Sequence, residues 1–202
     1  MFPDTGFCRY YGAAQDELGY MNPIDLIEEF YRPGSRVHEI MVTHGRLVAR
    51  RALYAARQVS HLNPDVAFIE EAAMLHDIAM FMTDMPDLGC YGMHLYICHG
   101  ILGRKLLEEK GLPRHALVCE RHIGTGIMIS DIQKQYLPLP LRDMQPQTLE
   151  EEIIAYADKF YSKNPETIFR EHSTEDVLRK LEKYGQEKVE KFREWDQRFG
   201  LK

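Results

Sequence analysis

Six side chains of two types, histidine and aspartate, fall at spacings that would bring them together in a folded chain. His76 continues the apolar stripe Val66, Ile69, Ala73 at steps of three, four and three, and Asp77 stands beside it. His44 lies seven residues after Val37 and three before Leu47, while His99 lies four after Leu95 and three before Leu102. His122 ends a periodic segment just before Gly124-Thr-Gly126, and Asp158 follows Ile154 by four. A buried carboxylate without a partner is expensive, so imidazoles gathered around two carboxylates are most simply satisfied by a metal ion. His38, His61, His94, His115 and His172 lack a matching phase or a carboxylate neighbour and read as surface or loop residues. His115, Cys119 and His122 share a face at steps of four and three, which leaves a zinc-type site there as an alternative.

Helices have to position these groups. Asn22-Pro23 opens a short one that runs to about Tyr31 and is stopped by Pro33-Gly34. A long helix from about Ser35 to His61 carries Val37, Ile40, Met41, Leu47, Val48 and Ala55, and Asn63-Pro64 ends it. Asp65 caps a third, whose apolar positions run on to Met80. A fourth holds Leu95, Cys98, Leu102 and Leu106 up to Gly111-Leu-Pro113, with Gly100 and Gly103 allowing another backbone close. The fifth spans about Arg114 to His122. Residues 127–147 hold Pro138, Pro140 and Pro146 with little periodicity, and read as a long irregular segment, either a lid or a surface loop. Thr148 and Glu151 form a capping box for the helix that carries Asp158.

Thr174 to Phe199 reads as one charged amphipathic helix with Leu178, Leu181, Val189, Phe192, Trp195 and Phe199 on its apolar side. Four i,i+4 pairs support it: Glu175 with Arg179, Asp176 with Lys180, Glu187 with Lys191, Glu194 with Arg198. It should pack on the core; a dimerising helix, and so a homodimer, is the alternative. No strand pattern of any length and no internal repeat is visible, so the expected class is all-α, in a single domain over 1–202.

Composition narrows the partners. With 45% hydrophobic residues spread from end to end, the 202-residue chain is not a disordered tail. A net charge of −6 gives no general pull toward nucleic acid or an anionic membrane, so a phosphate-bearing ligand needs a local basic patch or a metal. The longest stretch free of Asp, Glu, Lys and Arg, Leu88 to Gly103, is 16 residues and too short for a spanning helix. The first residues lack a leader pattern, and four cysteines without a CxxC pair suit a reducing cytoplasm.

The order His44, then His76-Asp77 inside AAMLHDIAM, then Asp158 inside IIAYADKFY resembles the HD superfamily of metal-dependent phosphohydrolases over roughly residues 36 to 163. The resemblance implies an HD-domain-like helical bundle, here with an extra C-terminal amphipathic helix at about 174–199. It also implies that His44, His76, Asp77 and Asp158 ligate metal. His99 in CHGILGRKLLEEKG and His122 in ERHIGTGI are similar to the extra pair of the branch with a two-metal centre. That branch includes the YqeK-type diadenosine tetraphosphate hydrolases and cyclic dinucleotide phosphodiesterases. Met80 stands where many members carry a lysine, and neither a Gly-Tyr-Pro signature nor a Glu-Pro-x-Arg ending is present.

The expectation is therefore two divalent ions, with Asp77 shared between them, activating a water against a phosphate ester or anhydride. Four imidazoles favour iron, manganese, zinc, cobalt or nickel over magnesium. Asp77 and Lys159 are the expected catalytic residues. Lys159, Lys163 and Arg121 are the expected contacts to a small phosphorylated substrate such as a nucleotide, with Arg51 a weaker candidate. A one-metal nucleoside-monophosphate phosphatase and a non-catalytic metal-binding scaffold are the competing readings. With no basic stripe and no interleaved aromatics, nucleic acid is not the expected substrate.

Overall fold

The computed structural model describes residues 21–200; the start of the chain, with Cys8, lies outside the described residues. Local chemistry sets the helix starts as the sequence suggests. Asn22 accepts from the Ile24 amide at the head of α1 (Pro23–Glu28), Ser35 from His38 at α2 (Arg36–Gln58), and Asp65 from Phe68 at α3 (Val66–Leu75). There follow α4 (His99–Glu109), α5 (Pro113–Arg121), α6 (Ile129–Gln135), α7 (Leu149–Asp158), α8 (Thr174–Leu181) and α9 (Gln186–Phe199). α2 is the central post, packed against α3 and α7; α4 pairs with α5, and α9 lies across α7, α8 and α2. The all-α class holds, with one small exception: Asp84–Met85 (β1) and Cys90–Tyr91 (β2) pair antiparallel in a two-residue ribbon.

Where α9 meets α7, Trp195, Phe192 and Phe199 close over Tyr156 and Phe160, the Tyr156 ring lying 5.4 Å from Phe192 and 5.0 Å from Phe160. The apolar side of α9 is thus covered by the chain's own core.

Several expectations change. α3 stops at Leu75, and the apolar run up to Met80 continues as tight turns in which Ile78 N–H donates to Leu75 and Met80 N–H to Asp77. Val66 and Leu95, counted as inward positions, are exposed. The helix expected over Thr174–Phe199 is broken, because Gly185 takes φ +128°, a conformation open to glycine and hostile to other residues. Its predicted i,i+4 pairs give way to long-range ones, with Lys191 and Arg198 both reaching Glu152 on α7. Residues 127–147 are less irregular than expected. They contain α6 and a small second core of Ile127, Ile132, Leu139 and Met144 against Cys98. Thr148 caps α7 as predicted, but the Glu151 carboxylate reaches back to the Gln147 amide rather than to Thr148. Among the described residues, no helix is long and apolar enough to cross a membrane.

Candidate metal centre

His44 projects from the middle of α2, and Asp158 closes α7. His76 and His122 stand just past the C-terminal ends of α3 and α5, where backbone carbonyls are free of helical partners, and His99 opens α4 after a short turn. His76, just past α3, donates Nδ1–H to Ala73 C=O at 2.7 Å. His99, the first residue of α4, donates to Tyr96 C=O at 2.6 Å, and His122, just past α5, to Cys119 C=O at 2.8 Å. A carbonyl only accepts, so Nδ1 carries a proton in all three rings, and each Nε2 is turned to the interior. Gly100 makes this closeness feasible: a Cβ there would lie 2.6 Å from Cys119 O, so α4 can approach α5 only without one.

Two groups of potential ligands result, all buried. His44, His76, Asp77 and Asp158 form one, and Asp77, His99 and His122 the other, with one ligand-type atom from each member lying within 4.8 Å of the rest of its group. His44 Nε2 is 3.0 Å from Asp158 Oδ1 and 3.4 Å from Asp77 Oδ2; His76 Nε2 is 3.0 Å from Asp77 Oδ2. In the second group His99 Nε2 and His122 Nε2 stand 3.2 Å apart, with Asp77 Oδ1 at 3.2 and 3.5 Å from them. With Nδ1 of both rings turned to a carbonyl, three ligand-type atoms converge here. His76 Nε2 and both Asp77 oxygens have no directed hydrogen bond. Imidazole nitrogens and carboxylate oxygens converging in this way are the ligand types a divalent cation takes, so this donor set fits metal at both groups.

The electrostatics agree. Burial alone would raise the Asp77 and Asp158 carboxyls. The His76 and Lys163 charges outweigh it for Asp77, and Lys159 with Lys163 for Asp158, holding both well below the usual range. Burial keeps His44 and His122 neutral, lowering each to about 4. For His76 burial is overcome by Asp77 and Asp158, which lift it to about 9. The pair of carboxylates is a well of negative potential that draws positive charge.

Two of the cations predicted to meet phosphate are at the cluster. Lys163 Nζ lies 2.7 Å from Asp77 Oδ2, and Lys159 Nζ lies 2.7 Å from Asp158 Oδ2 while donating to His122 C=O at 3.3 Å. The other two are not. Arg121 turns to the buried Glu151 carboxylate at 2.9 Å, and Arg51 pairs with Glu171 and lies over the Phe160 ring. His115, read as a surface residue, is buried against Phe68 and Glu71, and Cys119 donates to Leu75 C=O; the zinc-type alternative on that face does not assemble.

A supporting residue had no signal in the sequence. The Tyr31 hydroxyl donates to Ile78 C=O at 2.8 Å and accepts from Phe81 N–H at 3.2 Å, so it braces the turn that carries His76 and Asp77. It comes from just beyond α1, 47 residues from its partner.

The HD domain family model matches residues 41–162, more than half of the chain, and the chain belongs to that family. The chain is 36% identical over 122 residues to an uncharacterized protein of Methanocaldococcus jannaschii, a match covering 59% of this chain and 60% of that protein. It is 31% identical over 125 residues to a tRNA (cytidine(56)-2'-O)-methyltransferase of Picrophilus torridus, covering 61% of this chain and 32% of that one. The chain thus spans between a third and three fifths of these relatives' length. Among solved structures it is similar to the HD domain of the L. monocytogenes phosphodiesterase PgpH, at TM-score 0.48 and 14% identity over 77% of this chain and 89% of that one.

Proposed function

We propose that the chain hydrolyses a phosphate ester or anhydride of a nucleotide or related small phosphorylated molecule, using two divalent metal ions. The observation that carries this reading is the meeting of His99 and His122, whose Nε2 atoms face each other at 3.2 Å beside Asp77 while each Nδ1 donates to a backbone carbonyl. One ion would be held by His44, His76, Asp77 and Asp158, and the second by His99 and His122 with Asp77 shared. Four imidazoles favour iron, manganese, zinc, cobalt or nickel over magnesium. When bound, such ions supply Lewis acidity toward phosphoryl oxygens and a water of lowered pKa.

The chain's own groups do the rest. The carbonyls of Ala73, Tyr96 and Cys119 fix the tautomer and direction of three rings. Asp77 orients both groups, one oxygen toward each, and no protein nucleophile is required. Lys159 and Lys163, drawn to the cluster by the carboxylates, place ammonium charge where phosphoryl oxygens would lie. That makes Lys159 catalytic, and it supplies from another element the charge that Met80 does not. Three buried free thiols, Cys90, Cys98 and Cys119, suit a reducing cytoplasm.

The test is a hydrolysis assay of manganese-loaded protein on p-nitrophenyl phosphate, bis(p-nitrophenyl) phosphate and a nucleotide panel. The expected result is turnover that chelator abolishes and metal restores. A loaded, folded chain inert toward every one of these would overturn the reading in favour of a metal-binding scaffold.

A further inference from the structure

A cavity of about 440 Å³ adjoins the metal centre, and one wall of it is built by residues beyond the HD match. Lys159 is the link, since it lines the cavity and also contacts Asp158 and the His122 carbonyl. Ile97, Ile123 and Leu137 form an apolar side, and Val177 and Leu181 of α8 face them from the C-terminal segment. Apolar walls of this size suit a flat ring system.

The polar lining is lopsided. Four lysines, 159, 180, 183 and 188, stand against one acid, Asp131. Lys188 is buried and spent on Asp131 at 2.6 Å, and Lys159 is paired with Asp158. Lys180 contacts the His172 ring, and Lys183 lies over Tyr184; neither has a carboxylate partner among the described residues. Two uncompensated ammonium groups in a chain of net charge −6 mark a local preference for anions. A second, independent feature is the Thr125 hydroxyl. Thr125 lines the same cavity and is only 3% exposed, and its hydroxyl lies beneath the cavity surface with no hydrogen-bond partner, so a turn about χ1 toward a ligand would satisfy it.

We infer that this cavity takes the non-reacting part of the substrate, and that the α8–α9 segment selects a nucleotide with a planar base and at least two phosphates over a monophosphate. Lys180 and Lys183 meet the additional phosphate, the apolar walls hold the base, and the Thr125 hydroxyl hydrogen-bonds the ligand between them. The inference rests on the phosphohydrolase reading for the reacting end, but binding tests it separately.

The experiment is titration calorimetry of the manganese-loaded chain with the bismethylene analogue of ATP and the phosphonate analogue of AMP. The ATP analogue should bind at least about tenfold more tightly, a difference of about 1.4 kcal/mol, and K180M/K183M should bring the ratio to about one. Both lysines are exposed, so the variant should fold, and its circular dichroism checks this. T125V should weaken both analogues alike. Equal affinity for the two analogues, an unchanged ratio in K180M/K183M, or unaltered binding by T125V would each overturn the inference. A chain that shows the ratio but hydrolyses nothing overturns the proposed activity instead, and one that hydrolyses small esters but shows no ratio overturns only the inference.

Discussion

The aromatic layer between α9 and α7 and the histidine–aspartate cluster at the ends of α3, α4 and α5 are buried alike: Trp195 and His76 are both 0% exposed. In the aromatic layer, Trp195, Phe192 and Phe199 are covered by apolar neighbours, the Tyr156 hydroxyl at its margin donates to Asp196 at 2.7 Å, and Trp195 Nε1 lacks a directed partner. In the cluster, His44 Nδ1, His76 Nε2 and both Asp77 oxygens are buried without a directed partner. The first region lowers the free energy of the fold by removing apolar surface from water; the second raises it by stripping water from polar groups without replacing every hydrogen bond. Stability and function therefore occupy different parts of one interior, and substitutions should separate them.

The largest separation is expected from Asp77→Asn, which removes the shared carboxylate charge. Hydrolysis should fall by on the order of 10³-fold, about 4 kcal/mol of transition-state stabilisation, in steady-state assays with bis(p-nitrophenyl) phosphate. Retention of activity within tenfold of wild type would break the comparison on the functional side. Trp195→Ala is its counterpart in the aromatic layer. Loss of a fully buried indole should cost roughly 3–5 kcal/mol in denaturant unfolding, with metal content per folded chain unchanged; metal loss in the folded fraction would show that the two regions are coupled.

A smaller effect sharpens the boundary beside His122. Arg121→Met leaves the Glu151 carboxylate buried without its partner, at a cost of roughly 1–3 kcal/mol, while the Michaelis constant for a phosphate ester should not move. A raised Michaelis constant would return Arg121 to the site.

The smallest effect concerns His115, held neutral by burial and by Arg114, with Glu71 accepting from its ring and Asp65 opposing weakly. Its folded pKa of about 4 lies below the ordinary 6.5, so the unfolded chain binds more protons between those values, and stability present above pH 6.5 is lost as pH falls toward 4. His115→Gln should remove about 2 kcal/mol of the decline between pH 7 and 5, read from urea midpoints in chelator. Parallel curves for wild type and variant would contradict this.

The sequence made the clustering of these side chains legible because helical phase depends only on spacing, and His44 and Asp158 obey it. His99 is buried although Leu95, from which its phase is counted, is exposed and α4 begins only at His99. His76 shows its limit. The apolar run through Ile78, Ala79 and Met80 keeps a helix-like pattern, yet His76 Nδ1 takes the Ala73 carbonyl that the Asp77 amide would claim in a continued helix, and the chain leaves α3. Arg121 and Lys159 differ for a similar reason. Both flank ligands, but only long-range geometry puts the buried Glu151 beside one and the cluster beside the other. Tyr31, Thr125 and the cavity wall on α8 depend on contacts across the fold, which spacing does not encode. The break at Gly185 was visible as a glycine, though the amphipathic pattern on both sides concealed it.

The central claim is that two ions share Asp77. Elemental analysis of anaerobically purified chain, repeated on His99→Ala, tests it most directly. Close to two transition-metal ions per wild-type chain, and close to one in the variant, is the predicted result. A wild-type chain that holds one ion, unchanged when His99 is removed, would contradict it.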